Sequence, residues 1–377
     1  MNKFLKICSF NVFGDASANV GVIRQLETQA RVKDNKFLLH TFVFGAASDK
    51  LDNGINFVKT PFGFKFLTRF YASLWLFKNL INYQIFVFRS VPLPLWYILF
   101  PILKLFRRRI FVEVHTNESK IFYSEFKYGK AIFAIDFILR FFSSYFIDSC
   151  VYKTKEIFSL KNSFGYYGVK KFYISPNSIE VINDFEPFNT STISNKGFLF
   201  VSSKFYKWQG LERLVKEVND SLETVVSNNI IFHLVGYLTD EQKALVRKVN
   251  EVSDVFVLHG VLNSVDMNKV LSTSCIGLTT LDCSYLMDSS CSLKTREYLC
   301  SGLPVFSQIA DDALPSDFPF FRFKHDWRLE DIIEFYNDVE GHNRSSVVAA
   351  SEPYISSNVI NRNKLNYYVN FYTGGGL

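Results

Sequence analysis

One stretch of the sequence, CSLKTREYLCSGLPVF (291–306), combines residue types that can bind a charged ligand. Ser292 is a typical helix cap, and it would place Lys294 and Glu297 three residues apart on one face of the first turns. A helix N-terminus offers unpaired N–H groups and a partial positive charge, so an added lysine would make it a diphosphate site. The Glu297 carboxylate could then accept hydrogen bonds from ribose hydroxyls. Without further context, the same spacing is more often an ion pair on the surface.

A histidine and a glutamate stand close together in the first half, in VEVHTNES (112–119). We predict that His115 ends a strand and that Glu113 lies two residues back on the same face. The carboxylate could orient the imidazole, or it could simply be buried in an ion pair. Packing or capping is the alternative role for the histidine.

A loop of small residues follows the first predicted strand, in NVFGDASANVGVIRQL (11–26). Gly14 and Asn19 bound a run that would let the backbone approach a ligand closely. The same small residues also suit any connection from a strand to a helix.

Short runs of β-branched and aromatic residues alternate with longer amphipathic stretches along the whole chain. This pattern is typical of parallel sheets joined by crossover helices. The predicted strands are 4–10, 37–44, 84–90, 109–115, 149–153, 171–175, 197–202, 229–235, 254–258, 275–280 and 304–307. The predicted helices of the second half lie near 209–218, 239–251, 264–272, 292–301 and 329–338.

The length of 377 residues suits two domains better than one. Hydrophobic residues make up 48% of the chain, so each half can bury a core. The stretch 174–197 is rich in Asn, Ser, Thr and Pro, and we place the domain junction there. The predicted domains are an N-terminal acceptor-side domain over 1–180 and a C-terminal domain over 181–351. Residues 352–377 are predicted to form a last helix that packs back toward the first domain, with a loose tail.

The six cysteines show neither a paired spacing nor a cluster with histidines, which argues against both a disulfide framework and a zinc site. Asn11 interrupts the first apolar run, so we interpret the N-terminus as a strand and expect no export signal. These features predict a protein of the reducing cytoplasm.

Charge is distributed unevenly along the chain. Residues 1–180 hold 25 Lys and Arg against 12 Asp and Glu, whereas the remainder holds 17 against 24. The first half could therefore face an anionic membrane surface or a phosphorylated lipid. Unevenly solvated faces are the alternative.

The most apolar segment, VPLPLWYILFPILKLF (91–106), is followed directly by three arginines, Arg107 to Arg109. It is too short and too broken by proline to span a bilayer, which needs about 20 residues. It could lie in a membrane interface or form a helix buried against the first sheet. FAIDFILRFFSSYF (133–146) is an aromatic, partly basic stretch that is open to the same two interpretations.

The 291–306 stretch resembles the SPxKxxEYxxxGxPV signature of the family-four retaining glycosyltransferases, in the branch that includes bacterial surface-polysaccharide enzymes. That family has the GT-B fold, an α/β architecture of two Rossmann-like domains facing each other across a cleft. Further segments resemble the same family in the same order: YISPNSIE (173–180), FLFVSSKFYKWQGLERLV (198–215), FHLVGYLTDEQ (232–242) and VFVLHGVLNSVDMNKVLSTSCIGLTTL (255–281).

The resemblance implies a role for each matching residue. Glu113 is a candidate catalytic residue because it could orient the His115 imidazole. The resemblance implies catalytic roles for His115, Lys204 and Lys294. It assigns donor binding to Gly14, Asn19, Ser203, Lys207, Ser292, Leu293 and Glu297.

Two positions depart from the family's pattern. The residue eight places before Glu297 is Ser289, where the family often has an acid, and Asp288 is one place out of register. This puts the contact to the sugar hydroxyls in doubt more than donor binding. An inserted residue before Gly210 shifts the alignment of the basic pair by one place.

The sequence contains no Asp-x-Asp triplet, so it predicts no metal site. No cofactor is expected, and the nucleotide-diphosphate sugar is a substrate. Lys204, Lys207, Lys294 and the helix N-terminus would stabilise the charge on the leaving diphosphate. The resemblance implies retention of the anomeric configuration.

The predicted function is transfer of a sugar from a nucleotide-diphosphate donor to a saccharide acceptor, which we expect to be lipid-linked, in bacterial capsule or O-antigen synthesis. The predicted place is the cytoplasm, including a peripheral position at the inner face of the plasma membrane. The alternatives are a catalytically silent paralogue that binds a nucleotide sugar or serves as a scaffold, and a sugar-nucleotide 2-epimerase, which would need more acidic and histidine residues around the donor. No nucleic-acid partner is expected, since no recognised binding module accompanies the basic half.

Overall fold

The computed structural model describes most of the chain, and every structural statement below concerns the residues it describes. These are 5–15, 20–32, 34, 36–46, 55–59, 65–89, 94–115, 129–163, 165–181, 196–282 and 289–374. The chain forms two compact units. The first comprises residues 1–180 and 357–377, and the second comprises residues 181–356.

The first unit contains a parallel sheet of seven strands. In chain order they are β1 (Leu5–Asp15), β2 (Phe37–Ala46), β3 (Ile55–Lys59), β4 (Ile85–Arg89), β5 (Arg109–Val114), β6 (Ser149–Tyr152) and β7 (Phe172–Ile174). Their order across the sheet is β3-β2-β1-β4-β5-β6-β7. The order reverses between β1 and β4, and ligands of such sheets bind at the carboxyl ends of the strands at this point.

Helices connect these strands and cover the sheet. They are α1 (Val20–Ala30), α2 (Lys65–Asn79), α3 (Pro94–Leu105), α4 (Gly129–Ser144), α5 (Lys155–Ser159) and, from the end of the chain, α13 (Ser357–Thr373).

The core of the first unit forms because parallel strands are covered on both faces and therefore read as continuous apolar runs. The run Ile85–Phe88 is buried throughout. Val87 and Phe111 pack with Leu365 and Tyr368 of α13 in one cluster. The last helix of the chain is thus part of the core of the first unit.

The second unit has a six-stranded parallel sheet and a small two-stranded one. The strands are β8 (Lys196–Lys204), β9 (Ile230–Tyr237), β10 (Phe256–Gly260), β11 (Ser274–Thr279), β12 (Ser289–Ser290), β13 (Val305–Ser307), β14 (Ala310–Asp311) and β15 (Phe321–Phe323). The larger sheet has the order β10-β9-β8-β11-β13-β15, and β12 pairs with β14. Here the order reverses between β8 and β11.

The helices of the second unit lie between its strands and after them. They are α6 (Leu211–Asp220), α7 (Leu222–Ser227), α8 (Asp240–Asn250), α9 (Ser264–Thr273), α10 (Leu293–Cys300), α11 (Leu329–Val339) and α12 (Arg344–Ile355). A single 3-10 turn, Lys207–Gln209, precedes α6.

The chain returns to the first unit through a break between two helices. Ser356 takes an extended conformation, with φ −64° and ψ 124°, and so ends α12. The N–H of Ser357 then donates to the carbonyl of Ile179 at 2.8 Å. The prediction of one helix from residue 352 was wrong in this respect, because the helical pattern cannot show a one-residue break that a tertiary hydrogen bond stabilises.

The predicted strands occur close to their predicted positions. The sequence did not predict β3 or the short strands β12, β14 and β15. None of the helices in the described part of the chain combines the length and the hydropathy needed to cross a bilayer.

Candidate functional site

The carboxyl end of β8 continues into a loop that is fixed against the carboxyl end of β11. Leu281 donates its N–H to the carbonyl of Gln209 at 2.7 Å, so the two connections are bonded together. Gly210 lies between them in the left-handed region, at φ +82°, and a Cβ there would come within 2.5 Å of the Asp282 nitrogen. Glycine is therefore required where these two backbones meet, at the reversal point of the second sheet.

The two predicted lysines of the second unit lie on this loop. Ser203 and Lys204 end β8, and both are exposed. Lys207 begins the 3-10 turn and is also exposed. The Lys204 Nζ lies 5.5 Å from the centroid of the Tyr206 ring, a cation–π distance. The loop therefore presents two ammonium groups at the carboxyl edge of the sheet, where an anion could reach them.

Helix α10 begins as the sequence predicts. Ser292 is its N-cap, and the Ser292 hydroxyl oxygen accepts from the Lys294 N–H at 3.2 Å. Leu293 is the first helical residue. The Lys294 Nζ donates to Glu297 Oε2 at 2.5 Å, and the two side chains are 37% and 36% exposed. Both charged groups are therefore accessible to a ligand.

Tyr298 fixes α10 to the sheet. Its ring fills the space beside Gly277 of β11, where a Cβ would lie 2.4 Å from a ring carbon. Its hydroxyl accepts from the Val201 N–H of β8 at 2.9 Å. Lys294 lies one turn before Tyr298, and Lys204 lies three residues after Val201. Since a crossover helix starts at the carboxyl edge of a parallel sheet, both lysines belong to that edge.

A buried ion pair holds the other side of α10. Arg296 and Asp311 are both buried, and Arg296 Nη2 donates to Asp311 Oδ1 at 2.9 Å, beside a second contact between the same groups. Asp311 belongs to β14. The sequence analysis did not identify this pair, because nothing in the spacing of Arg296 and Asp311 distinguishes them from surface charges.

In the first unit, Glu113 and His115 lie in contact at the carboxyl end of β5. His115 Nε2 lies 3.2 Å from Glu113 Oε2. Burial by itself would raise the pKa of the Glu113 carboxyl, but the Lys364 ammonium, the hydrogen bond from His115 and the charge of Lys153 hold that pKa well below its usual range. An ionised carboxylate can only accept, so Nε2 carries the ring proton and Nδ1 carries the lone pair.

The His115 ring is neutral near pH 7. Burial lowers the pKa of the imidazole well below its usual range, and the charges of Arg89 and Lys153 lower it further. The hydrogen bond to Glu113 and the Glu113 charge act in the opposite direction without reversing the shift. Arg89 ends β4 and Lys153 follows β6, so the basic groups come from the carboxyl ends of the two neighbouring strands.

Lys364 and Tyr368 of α13 complete this cluster. Lys364 Nζ lies 2.8 Å and the Tyr368 hydroxyl 2.9 Å from Glu113 Oε1. Sequence reasoning missed both residues, although a signal existed. Ile360, Lys364 and Tyr368 follow each other at helical spacing on the buried face, and a lysine in such a stripe needs a buried acidic partner.

The remaining predicted residues are placed only in part. Gly14 lies near the carboxyl end of β1. Asn19 and Asp288 lie outside the described residues. Ser289 lies in β12, paired with Ala310 of β14. Within the described ranges, no group of three or more His, Cys, Asp or Glu side chains could hold a metal ion.

The structure thus brings together the predicted residues in two sets. Glu113 and His115 are in direct contact in the first unit. In the second unit, Ser292, Leu293, Lys294 and Glu297 share one helix start, and Ser203, Lys204 and Lys207 share the loop after β8.

No protein-family model matches the chain, and neither does any curated protein. Solved structures match it, and the three that follow do so over almost the whole length of both chains. A glycosyltransferase from Rickettsia africae ESF-5 is 13% identical, with 99% of both chains covered and a TM-score of 0.66. The apo form of the lipopolysaccharide outer core galactosyltransferase WaaB is 13% identical, with 97% of this chain and 99% of that chain covered and a TM-score of 0.60. Sucrose-phosphate synthase from Thermosynechococcus elongatus is 12% identical, with 98% and 100% covered and a TM-score of 0.66.

These likenesses show that the chain has the GT-B fold. The predicted fold class, an α/β chain with two Rossmann-like units, is confirmed.

Proposed function

We propose that the protein is a glycosyltransferase that moves a sugar from a nucleotide-diphosphate donor to a saccharide acceptor. The observation that carries the proposal is the capped start of α10, with Lys294 and Glu297 accessible, at the same sheet edge as the two lysines after β8. In a chain of GT-B fold, this edge lies at the reversal point where ligands of such sheets bind.

The donor fits this edge by charge and by hydrogen bonding. The diphosphate would accept from the first N–H groups of α10 and from the Lys294 ammonium. A ligand anion at Lys294 would replace the Glu297 carboxylate as the partner of the ammonium. Glu297 would then be free to accept from the ribose hydroxyls, so we expect donor binding to open the Lys294–Glu297 ion pair.

Catalysis would rest on stabilising the leaving group. Negative charge develops on the diphosphate as the glycosidic bond breaks, and fixed positive groups lower that barrier most when they bind the transition state more tightly than the substrate. Such groups are available at two places in the second unit: Lys204 and Lys207 at the end of β8 and in the loop after it, and Lys294 at the start of α10. We propose a metal-independent, retaining reaction on this basis and on the family resemblance.

His115 would act from the first unit. Its neutral ring presents the Nδ1 lone pair, which can accept a hydrogen bond from a sugar hydroxyl. Glu113 orients the ring through Nε2. Gly14, near the end of β1, and Asn19 remain the proposed backbone contacts to the donor in this unit.

The test is a panel of UDP-, GDP- and ADP-sugars, with donor hydrolysis and transfer as the readouts and nucleotide-induced thermal shift as a separate measure of binding. Wild type should bind one nucleotide and turn over its sugar conjugate. Lys294→Ala should lower kcat/KM by about 10²-fold or more, as expected for removal of one donor to a developing anion.

Lys269→Ala is the matched control, because Lys269 and Asp266 form an exposed ion pair of the same i,i+3 spacing on α9. It should leave turnover unchanged. Nucleotide binding without turnover of any sugar conjugate would instead support the silent paralogue, for which Ser289 in place of an acid is the motivating feature.

The proposed acceptor is lipid-linked, in the synthesis of a bacterial surface polysaccharide at the cytoplasmic face of the membrane. The first unit exposes two apolar stripes at helical spacing. On α2 and just after it the stripe is Phe70, Leu74, Phe77 and Ile81. On α4 and just after it the stripe is Ile135, Ile138, Phe142 and Tyr145.

Helix α3 packs between these two helices, so the stripes lie on one side of the first sheet. Leu99, Phe100 and Leu103 of α3 are buried, and this helix therefore covers the sheet. Exposed Lys78 and Arg107 flank the stripes. Apolar side chains beside cations, on the half of the chain with the basic surplus, fit an anionic lipid surface.

Co-sedimentation with vesicles tests this contact. Binding to vesicles with phosphatidylglycerol should exceed binding to pure phosphatidylcholine, and Phe77→Ser with Phe142→Ser should reduce it. Val261→Ser with Val265→Ser removes apolar groups of the second unit that are at least as exposed, and it should have no effect. Equal sedimentation of both double variants would remove the argument for a membrane-facing side.

A further inference from the structure

The Glu113 carboxylate, on β5, is held by groups on three sides. Lys364 Nζ is 2.8 Å and the Tyr368 hydroxyl 2.9 Å from Oε1, and His115 Nε2 is 3.2 Å from Oε2. Lys364, Tyr368 and Glu113 are all buried. The carboxylate therefore exchanges its hydration for one ammonium, one hydroxyl and one imidazole.

Lys364 is itself fixed in place. Its Nζ donates to Gln29 Oε1 of α1 at 3.1 Å, and the side chain is only 4% exposed. The donor chemistry proposed above uses neither Lys364 nor Tyr368 nor Gln29. Burying a lysine lowers the stability of a protein unless the ammonium is paired. The Lys364 ammonium meets this condition through the groups that it contacts, and the Glu113 carboxylate is the one with the opposite charge.

We propose that Lys364 is a positioning residue, which keeps Glu113 ionised and thereby holds the neutral His115 ring with its proton on Nε2 and its lone pair on Nδ1. This inference rests on the proposed function, because it assigns Nδ1 as the atom that accepts a hydrogen bond from a substrate hydroxyl.

Either group of the Glu113–His115 pair can take up the first proton, and the surrounding charges decide which one does. A buried carboxyl without a counter-charge tends to bind a proton. A protonated Glu113 would donate to Nε2, and the ring proton would then lie on Nδ1, which could no longer accept. The ammonium of Lys364 stabilises the ionised form of Glu113. It therefore also stabilises the His115 tautomer that carries its proton on Nε2 and its lone pair on Nδ1.

The charged and titratable groups around the pair come from three places in the first unit: the end of β4, the residue after β6, and α13. Arg89 at the end of β4 and Lys153 after β6 oppose protonation of His115. Lys364 and Tyr368 act on the carboxylate from α13, and burial together with the Glu113 charge raises the pKa of the Tyr368 hydroxyl well above its usual range. Tyr368 therefore remains a hydrogen-bond donor over the whole working pH range.

Nitrogen NMR of histidine-labelled full-length protein reads the tautomer without any turnover. In wild type, His115 should show the Nε2–H tautomer at pH 7 and should titrate well below the ordinary histidine range. In Lys364→Met, the pair should take up its first proton at a pH higher by about one unit or more. An unchanged titration midpoint and an unchanged tautomer would overturn the proposal.

Two neighbouring tyrosines provide a test that does not depend on the Lys364 variant folding. Tyr368→Phe removes one hydrogen bond to Glu113, whereas Tyr367→Phe removes the same atom from a bond to Ser149 at 2.7 Å. Tyr368→Phe should move the His115 titration and the acid limb of kcat/KM to higher pH, and Tyr367→Phe should move neither. Equal behaviour of the two variants would contradict the role of the α13 cluster.

The two proposals fail in different ways. An inactive wild type with the expected NMR titrations would count against sugar transfer alone. An active wild type whose His115 signals ignore Lys364 and Tyr368 would count against the positioning role alone.

Discussion

Two lysine–glutamate pairs occupy the candidate sites of the two units, and they differ in burial more than in geometry. Lys294 and Glu297 lie 2.5 Å apart with more than a third of each side chain exposed. Lys364 and Glu113 lie 2.8 Å apart with 4% and 7% exposed. An exposed pair is worth little and can open to admit a ligand, whereas a buried pair leaves an uncompensated charge when it is broken.

The same two residue types are therefore suited to different tasks in the two units. The pair in the second unit suits a binding group that exchanges partners. The pair in the first unit suits a fixed support for a third residue, His115, which is the proposed contact to a substrate hydroxyl.

The largest expected difference is in stability. Lys364→Met should lower the free energy of unfolding by about 3–5 kcal/mol, because it leaves the Glu113 carboxylate buried without its ammonium. Lys294→Met should lower it by less than about 1 kcal/mol. Chemical denaturation of both variants beside wild type measures this, and similar losses would show that burial does not separate the two pairs.

A smaller effect separates the two glutamates in catalysis. Glu113→Gln removes the ionised acceptor that fixes the His115 tautomer, so kcat should fall about 10- to 100-fold, the worth of a hydrogen bond to a charged group. Glu297→Gln keeps an amide oxygen that can accept from a ribose hydroxyl, so its main effect should be a higher KM for the donor. Steady-state kinetics of both variants measures kcat and the KM for the donor. A change of the same parameter in both variants would contradict the different roles of the two glutamates.

Most of the strands and helices that carry the two lysine–glutamate pairs could be predicted from the sequence, but not all of the residues in the pairs. Periodicity predicted strands over 109–115 and 197–202, close to the observed β5 and β8, and the capping serine at 292 predicted the start of α10. These signals are local, since each depends on residues within one or two turns or on one strand.

Lys364 could not be placed in the same way. Its partner Glu113 is far away in the sequence, and only the fold brings α13 onto the first sheet. The strands β12 and β14 were missed for a related reason, because two-residue strands exist only through their pairing with each other. Arg296 and Asp311 likewise show their role only once both are buried.

The pH dependence of stability should also distinguish the sites. The folded-state pKa of Glu113 is lowered, so its contribution is present above its unfolded-state pKa and is lost as pH falls through the folded value. The lowered pKa of His115 acts in the same direction below about pH 6.5, its ordinary value. Each proton involved contributes at most about 1.4 kcal/mol per pH unit.

Wild type should therefore lose stability as pH falls from neutral toward 3, and Glu113→Gln should show a shallower slope below about pH 4.3, the ordinary pKa of a glutamate, where the Glu113 contribution is lost. Denaturation curves at several pH values provide the measurement, with Glu297→Gln as the matched control. A control variant as shallow as Glu113→Gln would assign the slope to groups other than the buried cluster.

The smallest expected effect concerns the hydroxyls that support each site. Tyr298→Phe leaves the Val201 N–H without its acceptor and should cost about 1 kcal/mol, the usual net worth of a neutral hydrogen bond. Tyr368→Phe removes a bond to an ionised carboxylate and should cost somewhat more. Paired thermal and chemical denaturation of the two variants can resolve this difference.

Tyr298→Phe and Tyr368→Phe should also differ in their effects on function, whatever their effects on stability. Tyr298 anchors α10 through its ring as well as its hydroxyl, since the ring still fills the space beside Gly277 in the phenylalanine variant. Donor binding should therefore survive Tyr298→Phe. The KM for the donor should change by no more than about threefold, which corresponds to about 0.6 kcal/mol. In Tyr368→Phe nothing replaces the hydroxyl that donates to Glu113. If the acid side of the kcat/KM pH profile shifts in this variant alone, the site at α10 depends on packing and the site at Glu113 depends on charge.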